Sequence, residues 1–235
     1  MSSARSRLIV ALDLPDAESA LKMVNQLSGH AGLFKVGLEL FTREGPSLVQ
    51  QIRDRGERVF LDLKLHDIPN TVRGAVRSAC RLGADMLTVH ASGGPAMIAA
   101  AAEEARDSGS PPLILAVTAL TSLSADDIHA LGVPLTPADW VERLAEIAQL
   151  SGAAGVVASA KELPVLRAKF GNGLKYVIPG IRPAGTATQD QSRIATPRDA
   201  IRAGADYIVV GRPVLQANDP AAAADAIVEE ISAQG

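Results

Sequence analysis

The sequence predicts an α/β protein of the TIM (β/α)8 barrel class. Eight short apolar runs recur along the 235 residues, and a helical pattern follows each of them. The length is also close to the roughly 250 residues that are usual for this class. The alternative, an open doubly wound sheet, would place a glycine-rich turn after the first strand, whereas residues 12–16 read Leu-Asp-Leu-Pro-Asp. A single barrel domain over residues 1–235 is therefore expected.

Four strand and helix pairs are predicted in the first half of the chain. Apolar runs alternate there with helical periodicity, and proline or glycine separates most of the segments. The predicted strands are residues 7–13, 33–38, 58–65 and 86–90. The predicted helices are residues 17–27, 46–54, 70–82 and an alanine-rich segment that follows Pro95 to about residue 106.

The second half repeats this alternation, with one unusually long connection. The predicted strands are residues 113–120, 155–158, 175–178 and 207–210. The predicted helices are residues 125–131, 137–150, 161–170, 196–203 and 220–232. Residues 179–191 form a polar loop rich in glycine and threonine, which is longer than an ordinary strand-to-helix turn. Loops of this kind are often lids.

Composition excludes several classes of partner. A formal net charge of −3, with one Trp, two Tyr and four Phe, offers neither a basic stripe nor stacking residues for nucleic acid. No apolar run reaches the roughly 20 residues of a membrane span, and no signal-like segment precedes the first strand, so a cytoplasmic protein is expected. The single cysteine excludes an internal disulfide, and the four histidines lack metal-ligand spacing, so no metal is expected.

Residues 60–71 carry the most informative pattern in the chain. Side chains alternate across a strand, so Phe60, Asp62 and Lys64 are predicted to share one face, while leucines occupy the other. The leucine-rich face and the Pro-Asn turn that follows indicate a buried strand that opens into a loop. Two charges on such a strand indicate either a structural ion pair or a functional site.

Polar residues gather at the carboxyl ends of the predicted strands, where barrels of this class hold their active sites. Ordinary surface residues would be expected at both ends, so this bias favours a functional site. The residues concerned are Asp13, Lys35, Asp62, Lys64, His90, Thr118, Thr121, Arg182, Gly211 and Arg212. His90 is compatible with a structural role or with a direct catalytic one.

The segments after the last two strands indicate a phosphate site. Gly211 and Arg212 follow the eighth strand, and Arg182 follows the seventh. A glycine lets a backbone N–H approach an oxyanion, and an arginine can bind it with two hydrogen bonds. A single arginine at this place could instead form a solvated salt bridge, but two of them, with Gln191 on the adjoining loop, favour phosphate.

These residues resemble the orotidine 5′-monophosphate decarboxylase family. The segment from Asp62 to Thr71 reads Asp-Leu-Lys-Leu-His-Asp-Ile-Pro-Asn-Thr and matches the family pattern Asp-x-Lys-x-x-Asp. The resemblance covers nearly the whole chain and is greatest to the compact bacterial form. Its other motifs are Ala11-Leu12-Asp13, Phe34-Lys35-Val36-Gly37, Thr88-Val89-His90-Ala91, Leu120-Thr121-Ser122, Pro179-Gly180-Ile181-Arg182 and Ile208-Val209-Val210-Gly211-Arg212-Pro213.

The resemblance implies that the chain converts orotidine 5′-monophosphate to uridine 5′-monophosphate without a metal or organic cofactor. Lys64 would stabilise and protonate C6, with Asp62 and Asp67 holding it. The remaining roles carried over by the resemblance are substrate contacts by Asp13 and Lys35 at the ribose, by Thr121 and Ser122 at the pyrimidine, and by Arg182, Gln191, Gly211 and Arg212 at the phosphate. Asp67 and Thr71 would reach the neighbouring subunit's site, which implies a homodimer with shared sites.

Two other functions fit part of the pattern. Related phosphosugar lyases, such as 3-keto-L-gulonate 6-phosphate decarboxylase and hexulose-phosphate synthase, share the Asp-x-Lys-x-x-Asp element but use Mg²⁺. Lys35 is a cation where such a metal site would favour an acid. A barrel that binds a nucleotide without catalysis is the second alternative, and the intact acid–lysine–acid array argues against it, because binding alone does not require clustered like charges.

Overall fold

The computed structural model describes residues 4–183 and 195–232. Within those ranges, eight parallel strands form a closed barrel in which each strand pairs with the next and the eighth pairs with the first. The (β/α)8 prediction is therefore confirmed. The strands are β1 Leu8–Ala11, β2 Leu33–Gly37, β3 Val59–Leu65, β4 Met86–His90, β5 Leu113–Val117, β6 Gly155–Val157, β7 Lys175–Ile178 and β8 Tyr207–Val210.

Helices surround the barrel and connect successive strands. Several begin with a side-chain cap, as at Asp16, Ser124, Thr136 and Thr196, each of which accepts a backbone N–H three residues later. The helices are α1 Ala17–Leu27, α2 Leu38–Arg53, α3 Pro69–Arg81, α4 Gly94–Arg106, α5 Ala125–Ala130, α6 Pro137–Leu150, α7 Leu163–Phe170, α8 Pro197–Arg202, α9 Arg212–Leu215 and α10 Pro220–Ser232. No helix in the described ranges is long and apolar enough to cross a bilayer.

Alternating strand residues divide the apolar interior into two clusters. One lies inside the barrel and includes Ile9, Leu33 and Phe60, while the other lies between the barrel and its helices and includes Val10, Phe34 and Leu61. Because neighbouring residues point to opposite faces, Asp62 follows Phe60 into the barrel interior. The predicted faces of the third strand are thus confirmed, and the charged residues lie above an apolar floor.

Three differences from the predicted strands and α-helices exceed two residues. Helical structure after β2 begins at Leu38, because α2 joins two helical segments across Gly45, whose φ of 65° is not helical, and only the second segment, from Pro46, was predicted. Strand β5 ends at Val117 rather than at residue 120. The segment after β8, for which no helix was predicted, contains the short helix α9.

Candidate active site

Strand β3 delivers Asp62 and Lys64 to the carboxyl end of the barrel. Its pairing with β4 shifts register there: Leu61 lies opposite Leu87, but Leu65 lies opposite Val89. A step of four residues along β3 therefore corresponds to a step of two along β4. This irregularity is a bulge, and bulges are frequent beside active sites. Lys64 has φ 48°, the one positive value for a residue other than glycine in the described chain. Such a conformation is uncommon for a side-chain-bearing residue and often marks a functional position.

Four charged side chains form a row across this end of the barrel. The Lys64 Nζ atom lies 2.9 Å from Oδ2 of Asp62, and the Lys35 Nζ atom lies 3.6 Å from the same oxygen. Lys35 also lies 3.4 Å from Oδ1 of Asp13. The row therefore alternates in sign, as Lys64, Asp62, Lys35 and Asp13, and the Asp13 side chain at its outer end is 61% exposed.

Asp62 is held in its ionised form. Burial by itself would raise the pKa of this carboxyl, but the ammonium groups of Lys35 and Lys64 and hydrogen bonds from Lys64 and Thr88 together outweigh it, so the pKa lies below its ordinary value of 3.8. At neutral pH, Asp62 is therefore a carboxylate that lies between the side chains of Lys35 and Lys64.

An open cleft runs over this row and has an apolar and a polar part. The apolar part is a cavity of about 180 Å³ above the barrel interior, and the polar part is a cavity of about 230 Å³ towards β7 and β8. Lys35, Asp62, Pro179 and Val209 line both parts. The apolar part is additionally lined by Phe60, Lys64, Val117, Ala119, Leu120, Thr121, Val157, Ala158 and Val177. A planar apolar ring and a polar group joined to it would fit such a cleft.

The polar part is formed by the segments predicted to bind phosphate. Arg182, Gly211 and Arg212 all line it, together with Asp13. Arg182 is 8% exposed, so its guanidinium is largely removed from solvent although it lies beside the cleft. A Cβ atom on Gly211 would lie 3.3 Å from Oδ2 of Asp13, so a larger residue would crowd that carboxylate. Two arginines beside a glycine can bind an anionic group.

Comparison with known proteins identifies the family. The sequence profile of the Orotidine 5'-phosphate decarboxylase / HUMPS family matches residues 6–227. This chain belongs to that family. The orotidine 5′-phosphate decarboxylase of Halorhodospira halophila is 52% identical over 229 residues, which cover 97% of each chain. That of Moorella thermoacetica is 49% identical over 234 residues, which cover 97% of this chain and 93% of its relative.

Solved structures agree with this assignment. The crystal structure of orotidine 5′-phosphate decarboxylase from Lactobacillus acidophilus superposes with a TM-score of 0.86 at 41% identity, and the match covers 95% of this chain and 98% of the other. The enzyme of the same name from Pyrococcus horikoshii gives a TM-score of 0.79 at 28% identity, covering 97% and 99%. By family, the chain is a decarboxylase, which is a carboxy-lyase.

The single chain does not bring every residue of the decarboxylase pattern into the cleft. Asp67 and Thr71 lie beyond β3 and are exposed, and Asp67 accepts the N–H of Ile68 at 2.6 Å. Ser122 is exposed and is absent from both groups of cleft-lining residues, whereas its neighbour Thr121 lines the apolar part. Gln191 lies outside the described residues.

Two residues of β4 adjoin the charged row. Thr88 is fully buried and hydrogen-bonds to both Asp62 and Lys64. The sequence analysis included Thr88 in the family motif of residues 88–91 but gave it no role. His90 stacks on His66 with ring centroids 5.4 Å apart, and its Nδ1 is buried without a hydrogen-bond partner among the described residues. Burial, with the nearby charges of His66 and Lys64, lowers the pKa of His90 below 6.5.

Potential metal ligands are not clustered in the described part of this decarboxylase-family chain. No three His, Cys, Asp or Glu residues within residues 4–183 and 195–232 are grouped so that they could hold a metal ion. The two acids of the charged row are instead separated by Lys35.

Proposed function

We propose that this chain decarboxylates orotidine 5′-monophosphate to uridine 5′-monophosphate, the last step of de novo pyrimidine synthesis, and that residues 1–235 act as one barrel domain in the cytoplasm. The observation that carries the proposal is the alternating row of Lys64, Asp62, Lys35 and Asp13 at the junction between an apolar and a polar cavity. The row places charges of both signs where a pyrimidine would meet its ribose phosphate.

The reaction requires charge stabilisation at C6 of the pyrimidine. Loss of CO2 leaves an electron pair in the plane of the ring, where it cannot delocalise into the π system, so a covalent catalyst has little to do. We assign the stabilising charge to the ammonium group of Lys64, which then donates its proton to C6. Fixed charges of this kind act most strongly in a site shielded from water.

Asp62 and Lys35 hold Lys64 in place for this chemistry. Asp62 contacts the Lys64 side chain at 2.9 Å, and the charge of Lys35 helps to keep Asp62 ionised from its other side. A carboxylate near the carboxylate of the substrate could also raise the energy of the bound ground state, but stabilisation of the transition state suffices for the roles assigned here.

The substrate is proposed to lie along the cleft from β3 to β8. The pyrimidine would occupy the apolar cavity near Thr121 and Ser122, and the ribose would contact Asp13 and Lys35. The phosphate would bind in the polar cavity, and its binding energy would contribute to the rate although the phosphate lies far from the bond that breaks. The phosphate contacts are assigned to Arg182, Gln191, Gly211 and Arg212.

We also propose a homodimer in which each site is completed by its neighbour. Residues 66–71 are all exposed in the single chain, and among them Ile68 is a large apolar residue that is 66% exposed. Asp67 and Thr71 would then serve the partner's Lys64 and substrate. A mixture of Lys64→Ala and Asp67→Ala subunits tests this: random exchange should restore about a quarter of wild-type sites, because each hybrid dimer holds one intact site. No recovery after verified exchange would contradict shared sites.

The lyase alternatives receive less support. Relatives that are 49% and 52% identical over nearly the full chain carry the name orotidine 5′-phosphate decarboxylase. In addition, Lys35 lies between the two acids of the row, where a Mg²⁺ site would favour an acid. A purely binding function does not explain the charged row, because binding alone does not require clustered like charges.

The decisive experiment follows the ultraviolet absorbance of orotidine 5′-monophosphate mixed with purified protein in excess EDTA. Rapid conversion to uridine 5′-monophosphate is expected, and it would establish both the reaction and its independence of a chelatable metal. Activity only on a keto-sugar phosphate after Mg²⁺ addition would assign the chain to the lyases. Inactivity on both substrates would favour a binding function.

A further inference from the structure

Thr88 connects Lys64 and Asp62, the first two residues of the charged row, from a neighbouring strand. Its Oγ1 atom donates a hydrogen bond to Oδ1 of Asp62 at 3.0 Å and accepts one from the backbone N–H of Lys64 at 2.9 Å. The residue is 0% exposed and is not among those that line the cleft. Thr88 therefore contacts the groups proposed to act on the substrate without facing the substrate itself.

The directions of these two hydrogen bonds are determined by the groups involved. A backbone N–H can only donate, so the hydroxyl must accept from Lys64 and has its single proton left for Asp62. Asp62 uses its other oxygen, Oδ2, for Lys64 and Lys35. Thr88 thus orients the carboxylate so that the second oxygen faces the two ammonium groups.

The bulge in β3 explains why a hydroxyl is needed at this place. The register shift between Leu61 and Leu65 interrupts the regular strand ladder, and Thr88 is the β4 residue between their two partners. A buried N–H without an acceptor is costly, and Lys64 also carries the unfavourable φ of 48°. The Thr88 hydroxyl satisfies this N–H and so supports the backbone conformation that directs the Lys64 side chain to Asp62.

We propose that Thr88 is a positioning residue for the decarboxylation, acting through Asp62 and Lys64. The inference rests on the catalytic role proposed for Lys64. In this role Thr88 sets the distance between the ammonium group of Lys64 and the reacting carbon. Misplacement of a catalytic group by about 1 Å can lower the rate by roughly 100-fold. A residue that merely filled the core would affect stability without this dependence on its hydroxyl.

The chain offers a matched control in the adjacent strand-end segment. Thr118 was predicted among the polar residues at this end of the barrel, but it lines neither part of the cleft. It is also a buried threonine, 2% exposed, and its Oγ1 donates to the backbone carbonyl of Val157 at 3.0 Å. Its own N–H also donates to that carbonyl, so Thr118→Val leaves the carbonyl paired. Thr88→Val and Thr118→Val make the same change from hydroxyl to methyl, one inside the proposed positioning contact and one outside it.

The experiment compares kcat, KM, thermal midpoint and binding of uridine 5′-monophosphate in Thr88→Val, Thr88→Ser and Thr118→Val. Thr88→Val should lower kcat by roughly 10- to 100-fold with KM and nucleotide binding within about threefold of wild type, since the loss falls on the reacting geometry. Thr88→Ser, which keeps the hydroxyl, should retain kcat within about fivefold, and Thr118→Val within about threefold.

Three results would overturn the proposal: Thr88→Val with a kcat close to wild type, equal losses of kcat in Thr88→Val and Thr118→Val, or a loss in Thr88→Ser as large as in Thr88→Val. If Thr88→Val does not fold, the smaller Thr88→Ala is compared with Thr88→Ser by the same criteria. Lys64→Ala is measured in parallel. Activity in Lys64→Ala would refute the proposed catalytic role itself, whereas an inactive Lys64→Ala beside a fully active Thr88→Val refutes only the role of Thr88.

Discussion

The two ends of the barrel hold aspartates in different kinds of contact. At the amino end, Asp85 immediately precedes β4 and accepts the backbone N–H of Val59 in β3. In the same way, Asp206 precedes β8 and accepts the N–H of Tyr176 in β7. Each also pairs with two cationic side chains: Asp85 with Arg53 and Arg58, and Asp206 with Arg167 and Lys175. These carboxylates join backbone segments that are distant in sequence.

At the carboxyl end, Asp62 instead contacts side chains, namely those of Lys35, Lys64 and Thr88. Both kinds of aspartate lie between two cations, so charge pairing alone does not distinguish a functional site from a structural one. The two kinds differ in their partner besides the two cations, which is a backbone N–H for Asp85 and Asp206 and a buried hydroxyl for Asp62. A carboxylate bonded to backbone joins parts of the fold, whereas one that contacts two cationic side chains beside an open cleft belongs to a candidate ligand site.

The amino-end contacts also have a local sequence pattern. Gly83-Ala84-Asp85 and Gly204-Ala205-Asp206 repeat the same tripeptide before β4 and β8, after helices α3 and α8. Gly83 and Gly204 have φ values of 73° and 104°, which favour glycine and turn the chain from helix to strand. The repeat therefore marks two equivalent structural corners rather than a site.

The largest expected effect is at the carboxyl end, in Lys64→Ala. Turnover of orotidine 5′-monophosphate should fall by at least about 10⁴-fold, because the variant loses both the proposed charge stabilisation and the proposed proton donor. Binding of uridine 5′-monophosphate should remain measurable, and the circular dichroism spectrum should remain that of the native fold. Turnover near that of wild type would remove Lys64 from its proposed role.

A direct test of the comparison replaces one aspartate at each end by alanine. Asp206→Ala should lower the free energy of unfolding by about 2–4 kcal/mol, because the buried N–H of Tyr176 and two cations lose their partner, while kcat stays within about twofold. Asp62→Ala should lower kcat by roughly 100-fold or more, with a smaller loss of stability because Lys64 and Lys35 can turn towards the cleft. Urea denaturation and steady-state kinetics measure both quantities. Parallel losses in the two variants would contradict the distinction.

A smaller effect is expected from Gly37→Ala, which disturbs the row without removing a charge. A Cβ atom at residue 37 would lie 3.2 Å from Nζ of Lys35, so the ammonium group must shift by a few tenths of an ångström. The φ of −89° at Gly37 suits alanine, so the fold should tolerate the change. We expect kcat/KM to fall by roughly 3- to 10-fold with little change in thermal midpoint. Gly109→Ala, whose Cβ would meet no atom within 4 Å, is the matched control and should behave as wild type.

The smallest expected effect is on the pH dependence of stability. The pKa of Asp62 is lower in the folded chain than its ordinary value of 3.8, so its ionisation stabilises the fold above that value, and this contribution is lost as the pH falls through the folded-state pKa. Between pH 5 and the acid transition, Asp62→Ala should therefore lose less unfolding free energy than the wild type. Denaturation curves at successive pH values give the unfolding free energy of each protein as a function of pH. If it changes equally with pH in the wild type and in Asp62→Ala, Asp62 contributes nothing to the acid sensitivity of the fold.

Local sequence pattern determined most of the fold. The bounds of α1, α6, α10, β4, β7 and β8 were predicted as they are observed, because periodicity, caps and glycine or proline boundaries act over a few residues. The same alternation placed Asp62 and Lys64 on the inner face of β3, and the barrel rule placed Asp13, Lys35, Arg182, Gly211 and Arg212 along the same cleft.

Tertiary structure alone decided how these residues are held. The bulge in β3, the φ of Lys64 and the bridge through Thr88 depend on the register between β3 and β4. Strand register is set by contacts between segments some twenty residues or more apart, and a period of two cannot reveal it. Sequence pattern thus shows which side chains face the centre of the barrel, while the pairing of neighbouring strands determines which of them meet.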